Sequence, residues 1–323
     1  MAYSATTLDQ TNSTIAPPDS PARQAWRILK QDRLASAGLI ILAVLILIAI
    51  AGKWLTDTQT GFDPATVRLV DKLRPPMASI SDLVPTEERP ALGFYLLGTD
   101  DLGRDVFSRM LQGSVVSLTI GFVAVGIATV LGIFFGALAG YYGDKRLGFI
   151  SVDNLIMRFT DVMLCFPTFF LILTAVALLP PSIYNIMAII GLTSWMGTAR
   201  FVRAEFLSLR EQDFVEAARA LGLPAWRVLF IHMLPNAMAP VLVSATIGVA
   251  SAILTESALS FLGFGVQPPD ATWGNILSDG KSYIFDAPWL FFFPGFAIVI
   301  VVLAFNLLGE GLREALNPKL RSR

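Results

Sequence analysis

Residues Arg210 to Pro235 read REQDFVEAARALGLPAWRVLFIHMLP, two short amphipathic stretches separated by a Gly-Leu-Pro break. Asp213 suits an N-cap, with Glu216 three residues on as in a capping box. Phe214, Ala217, Ala218 and Leu221 then recur at i, i+3, i+4 and i+7, an apolar stripe over two turns. Gly222 and Pro224 end the first stretch, since glycine closes helices and proline cannot continue them. A second stripe follows in Trp226, Leu229, Phe230, Met233 and Leu234. A helix this short is marginal in water, so it must dock. Two partners remain open from spacing alone: a groove on another protein, or a lipid surface on which the helix lies flat.

Other reactive residue types are sparse. The single cysteine, Cys165, excludes an intrachain disulfide framework, and with the single histidine, His232, it forms no zinc-like cluster. GNILSDGKS, from Gly274, approaches a phosphate loop but places five residues between its glycines, where the pattern has four. It also lacks a strand-loop-helix context. No paired carboxylates or nucleophile–base set fall in one layer of the chain, so no enzyme of its own is expected. Glu256 is the notable ionisable group inside an apolar run. It is read either as a contact beside a solute path or as the structural partner of another polar group. Asp161 and Arg158 are read as interfacial anchors, and the run from Trp289 to Phe293 as an aromatic belt. Gly132, Gly136 and Gly140 repeat every four residues, a face that permits close helix approach, either to a partner subunit or within the chain.

The elements that position these residues are set by hydropathy. Of 323 residues, 54% are apolar and 15% charged, against about a quarter charged in a soluble chain. A net charge of -1 fits neither a basic nucleic-acid binder nor an acidic disordered chain. Charge-free stretches run from Leu34 to Gly52, Met110 to Gly143, Val162 to Ala199, Val228 to Thr255 and Ala287 to Gly309. A bilayer core of about 30 Å needs roughly 20 helical residues, and the third stretch is long enough for two spans broken at Pro180-Pro181. The sequence therefore predicts an all-α membrane protein with six transmembrane helices, at 34–53, 114–139, 162–180, 185–202, 236–262 and 288–309. Sixteen of the 24 lysines and arginines fall in 23–33, 145–158, 200–227 and 313–323, which places both termini in the cytoplasm. The first run exceeds the length of a signal core and reads as a membrane helix. Residues 1–22, rich in Ser, Thr and Pro, read as a disordered tail.

The expected organisation is a cytoplasmic tail over 1–33, a first span over 34–53, an outer loop over 54–113, a core over 114–309 with the docking loop at 205–235, and a cytoplasmic tail over 310–323. The outer loop, with five prolines, is too long for a simple connector.

Glu216-Ala217-Ala218, Gly222, Ile231 and Leu234-Pro235 resemble the EAA loop of bacterial ABC importer permeases, at the family's spacing. The segment Gly98-Thr99-Asp100-Asp101-Leu102-Gly103-Arg104-Asp105-Val106 with Ser108-Arg109 is similar to that preceding the second helix in C-type permeases of the dipeptide, oligopeptide and nickel group. So are Glu256 to Gly263, Pro268-Pro269, Trp273-Gly274, and the ends Trp26 to Gly38 and Asn306 to Arg321. The resemblance implies the type I ABC importer permease fold and a multi-pass protein of the bacterial inner membrane. It implies half of a pathway for peptides, coupled through Asp213, Phe214, Glu216, Ala217, Ala218, Leu221, Gly222, Ile231, Leu234 and Pro235 to ATPase subunits. The partners implied are a second, B-type permease, two cytoplasmic ATPase subunits that bind ATP and Mg, an outer solute-binding protein and the bilayer. This chain would hold no cofactor, metal or nucleic acid. Nickel or another small solute is the alternative cargo, and a secondary transporter the rival class, although midplane charges and internal repeats are sparse.

Overall fold

In the computed structural model, which describes residues 21–316, the charge-free runs become long helices and the charged stretches become their caps and connections. The chain runs α1 (Pro21–Gln31), α2 (Arg33–Thr58), α3 (Val106–Tyr141), α4 (Val152–Cys165), α5 (Thr168–Ala177), α6 (Ile183–Arg210), α7 (Asp213–Ala220), α8 (Ala225–Arg227), α9 (Leu234–Phe261), α10 (Trp273–Gly280) and α11 (Trp289–Leu316). Carboxylates set two of the starts. Asp32 accepts from the Leu34 amide ahead of α2, and Asp105 accepts from the amides of Phe107 and Ser108 ahead of α3. Two short hairpins are the sheet structure among the described residues, β1 (Ala78–Ser79) with β2 (Phe94–Tyr95) and β3 (Arg146–Leu147) with β4 (Ile150–Ser151).

Four helical stretches are long and apolar enough to cross a membrane: Arg33–Thr58, Val106–Tyr141, Ala225–Phe261 and Trp289–Leu316. A fifth arises if α4 and α5, bent by 82° at their junction, count as one. The expected straight span over 162–180 is thus corrected. Pro167 ends α4's ladder, so the chain turns there, and α4 starts ten residues earlier than the apolar run. The turn at 180–182 stands where the proline pair puts it, between α5 and α6. α6 is absent from the four because Thr193, Ser194, Gly197 and Thr198 dilute its middle and Arg200, Arg203 and Arg210 its end. The second span begins at Val106, not 114: Arg109 lies inside the helix because its charge is paired, as described below.

Packing is by small residues and branched apolar side chains. α3 and α6 lie against each other, and a Cβ at Gly132, Gly136 or Gly140 would sit 2.5 Å from Thr198 Cβ, the Ala199 carbonyl oxygen or Phe206 Cβ respectively. The glycine face is therefore consumed inside the chain, where backbones approach closely. One core joins α2, α3, α9 and α11 through Leu42, Leu118, Ile253 and Phe305, and another joins α3, α5, α6 and α9 through Ile120, Ile172, Ile186 and Leu259. Exposed Ile40, Leu47, Ile50, Val130 and Leu303 face outward from the bundle, as lipid-facing residues do.

The segment between α2 and α3 is an ordered cap. Its centre is Asp71, solvent-excluded, whose carboxylate accepts from Tyr95 Oη (2.8 Å), the Ser81 amide (3.1 Å) and Arg74 Nε (3.2 Å). Burial, then the bond to Asp71, raises the Tyr95 pKa, so the phenol stays a donor. Gly103 turns the chain with φ +72°, and any Cβ there would meet the Arg68 carbonyl. The readings for residues 1–20 and 317–323 lie outside the described residues; within the rest of the two tails, 21–31 and 310–316 are helical.

Candidate functional site

Each end of the 36-residue α3 carries a polar assembly. At its C-terminal end, Arg219 of α7 lies over the Tyr141 ring at 5.0 Å and Lys145 lies over Tyr142 at 4.6 Å. Arg210 binds Asp144 at 2.7 Å, Arg200 binds Asp161 at 2.5 Å, and Arg203 forms a two-pronged pair with Asp153. These pairs fix α4 and the loop after α3 to α6.

Against this scaffold rests α7, eight residues long. Val215 and Ala218 turn inward and are buried with Phe206 of α6, Val228, Met233 and Val241. Phe214, Glu216, Ala217 and Leu221 turn outward, and Leu221 is 81% exposed. The expected stripe therefore splits: Ala218 belongs to the inner face with Val215, a residue the spacing did not single out, while Phe214, Ala217 and Leu221 form the outer row. The reason is that Val215 and Ala218, one turn apart, form a ridge against α6 that leaves the neighbouring ridge free. A second correction concerns the start. Asp213 is the first helical residue rather than the cap, Gln212 holds the cap position without a side-chain bond, and Asp213 and Glu216 instead place two carboxylates in the first turn. There they meet the partial positive charge of the helix end.

The helix stops as the sequence requires. Gly222 has φ +73°, its amide donates to the Arg219 carbonyl and the Leu223 amide to that of Ala218, the paired bonds of a Schellman motif. Beyond it the expected second amphipathic helix is not separate. α8, a π-helical turn over Val228–Met233 and α9 run on without interruption, so Leu229 and Met233 are buried while Trp226, Phe230 and Ile231 are exposed. Leu234 is half-buried and Pro235 exposed where the π-helical turn passes into α9.

At the N-terminal end of α3 is an ion-pair cluster that sequence reasoning did not foresee as a unit. Asp100 Oδ2 accepts from Arg104 Nε and Arg109 Nη1, each at 2.6 Å, and its Oδ1 accepts from the amides of Leu102 and Arg104. Arg109 Nη1 also reaches Asp279 of α10 at 3.0 Å. Asp100 is fully buried and Arg109 2% exposed. Burial, then the neighbouring Asp100 and Asp279 charges, raises the Asp101 pKa. The Asp-to-Arg spacings were visible in the sequence, but Asp279 lies 170 residues away and no local pattern announces it.

Glu256 is buried in α9 and accepts from Ser260 Oγ at 2.7 Å, on the face against Gly274 of α10. That bond lies within α9, and the second carboxylate oxygen, Oε2, is buried without a hydrogen-bond partner among the described residues. Trp289 donates its indole N–H to the Thr99 carbonyl at 3.1 Å, tying α11 to the cap.

The model of the binding-protein-dependent transport system inner membrane component family matches residues 132–322, and that of the N-terminal TM domain of oligopeptide transport permease C matches residues 20–76. The dipeptide transport system permease protein DppC of Alkalihalophilus pseudofirmus is 42% identical, over 94% of this chain and 91% of that protein. The oligopeptide transport system permease protein OppC of Bacillus subtilis is 35% identical, over 93% and 90%. Among solved structures, a chain of the inward-facing MetNI methionine ABC transporter superposes with a TM-score of 0.51 at 17% identity, covering 64% of this chain and 95% of that one.

Proposed function

Since the chain belongs to the binding-protein-dependent transport system inner membrane components, we propose that it is the C-type membrane subunit of an ATP-driven peptide importer, coupled to its ATPases through α7. The observation that carries the coupling role is the division of α7 into an inner face locked to α6 and α9 and an outer row, Phe214, Ala217 and Leu221, with Glu216 beside it, left uncovered. A force applied to the outer row moves a helix that shares one apolar cluster with Phe206 of α6 and Met233, Ala237 and Val241 at the root of α9. Closure of the ATPases on ATP would thus bias α6 and α9 between two arrangements of the path.

In this reading the chain crosses the bacterial inner membrane six times, with α4–α5 and α6 as the third and fourth spans and both termini in the cytoplasm. The 59–105 cap faces outward, where the solute-binding protein delivers cargo. A B-type permease completes the path. Two cytoplasmic ATPase subunits hold ATP and Mg, and this chain supplies no catalytic group. The names of the relatives, which are dipeptide and oligopeptide transport permeases, support peptides as the cargo.

Affinity purification of the chain from its native membrane tests the assembly. A second permease and ATPase subunits are expected to co-purify, and Glu216→Lys is expected to release the ATPases while keeping the permease partner. Recovery of the chain alone, or ATPases retained by Glu216→Lys at wild-type stoichiometry, contradicts the docking assignment.

A further inference from the structure

At mid-height of the bundle, α3, α6 and α9 leave between them a cavity of about 270 Å³. Its lining carries no charged or aromatic side chain and instead six hydroxyls: Thr129, Ser194, Thr198, Ser244, Ser251 and Thr255. Ser194, Gly197 and Ser251 stand exposed at its mouth, on a face that no other described element covers.

Thr198 is the informative member. It is only 8% exposed, and a Cβ at Gly132 would collide with its Cβ and Cγ2, so its methyl is pressed onto α3. The hydroxyl is the other branch of the same Cβ, and Thr198 lines the cavity. Among the described residues it has no hydrogen-bond partner, unlike Thr193, whose hydroxyl bonds back to the Ile189 carbonyl at 2.7 Å. Thr198 Oγ1 is not among the sealed side-chain atoms that lack a partner, so water can satisfy it in the niche and a polar group of a solute can take that water's place. Ser251 and Thr255 do bond back along α9, to Ile247 and Ser251, which leaves their oxygens free to accept. Gly197 faces open space, and a Cβ added there would meet nothing within 4 Å.

We infer that this niche is a subsite for the uncharged amide backbone of the solute in transit, with Thr198 and Ser194 donating to peptide carbonyls and Ser251 and Thr255 accepting from peptide N–H groups. The inference rests on the peptide-importer reading. A hydroxyl serves either partner of an amide and is indifferent to the side chain that follows. The absence of charge and of aromatic walls means that this level of the path selects a backbone and not a residue type. Its volume lies just under the roughly 300 Å³ of the smallest ligand pockets, as fits one wall of a path whose other wall is a second subunit. The same residues explain why α6 is less apolar than its neighbours: it borders the niche as well as the bundle.

The test uses the assembled transporter in proteoliposomes with a labelled dipeptide. In a Cys165→Ser background, which removes the chain's single, exposed thiol, Gly197→Cys is expected to react with a cationic, water-soluble methanethiosulfonate. Reaction is expected to abolish uptake and to be slowed by saturating dipeptide. Leu192→Cys, exposed elsewhere on α6, is expected to remain unmodified. Thr198→Val keeps the methyl on Gly132 and is expected to raise the KM for uptake about fivefold with little change in maximal rate, and Thr198→Ser to restore it. Failure of Gly197→Cys to react shows the niche sealed by a partner helix and overturns the inference. So does reaction without loss of uptake, or a Thr198→Val protein with unchanged KM. In each case ATP-driven dipeptide uptake by the parent complex leaves the importer reading standing. No such uptake by the parent complex overturns both.

Discussion

Gly222 and Arg109 show the two ways a single residue matters here. Gly222 holds φ +73°, which costs a residue with a Cβ about 1–2 kcal/mol. Gly222→Val is expected to fray α7 and to lower coupled ATPase stimulation by added solute-binding protein and cargo, with membrane insertion unchanged by protease protection. A variant that couples normally removes the need for the Schellman end. Arg109 is different, because its loss leaves Asp100 buried with one partner fewer. Arg109→Ala is expected to cost about 3–5 kcal/mol, read as a lowered thermal midpoint in lipid nanodiscs. A midpoint within error of wild type would show that Arg104 alone satisfies Asp100. The glycine at 222 was legible in the sequence, since a glycine after an amphipathic stretch has one common use. The second carboxylate that Arg109 meets beside Asp100 was not, because Asp279 is brought from α10 by the fold.

At the scale of elements, hydropathy gave the long helices but not their bends or their polar ends. α2, α3, α9 and α11 follow from apolar length, whereas the α4–α5 bend at Pro167 was hidden inside one charge-free run with a more conspicuous proline pair further on. The α7 stripe was legible as a pattern, yet the pattern did not say which ridge faced the protein, because Phe214, Ala217 and Leu221 are as apolar as Val215 and Ala218. That assignment needed the position of Phe206. The α3–α6 pair yields its own prediction. Gly136→Leu has no room, with the Ala199 carbonyl 2.5 Å from its Cβ, and is expected to separate the two helices. A paired cysteine probe at Ala128 and Met196, in the Cys165→Ser background, is expected to crosslink less than in the parent, and equal crosslinking would contradict the close approach. Those glycines serve packing within the chain.

For the whole molecule, one apolar cluster joins α7 to α6 and the root of α9, and the same two helices line the niche further along the bundle. In the proposed coupling, a push on α7 reaches α6 and α9 because packed helices shift as units. The topology is testable alongside it: single cysteines at Ala225 and at Leu83 are expected to label from opposite sides of the membrane, and labelling from one side would contradict the six-span arrangement. The most direct measurement is uptake of a labelled dipeptide by the purified complex in proteoliposomes, with solute-binding protein outside on the cap face and ATP on the α7 face. Uptake is expected with ATP, and is expected to vanish when the partner ATPases carry an inactivating substitution in their nucleotide site. Uptake that persists with inactive ATPases and follows an imposed proton gradient would contradict the importer role and favour a secondary transporter.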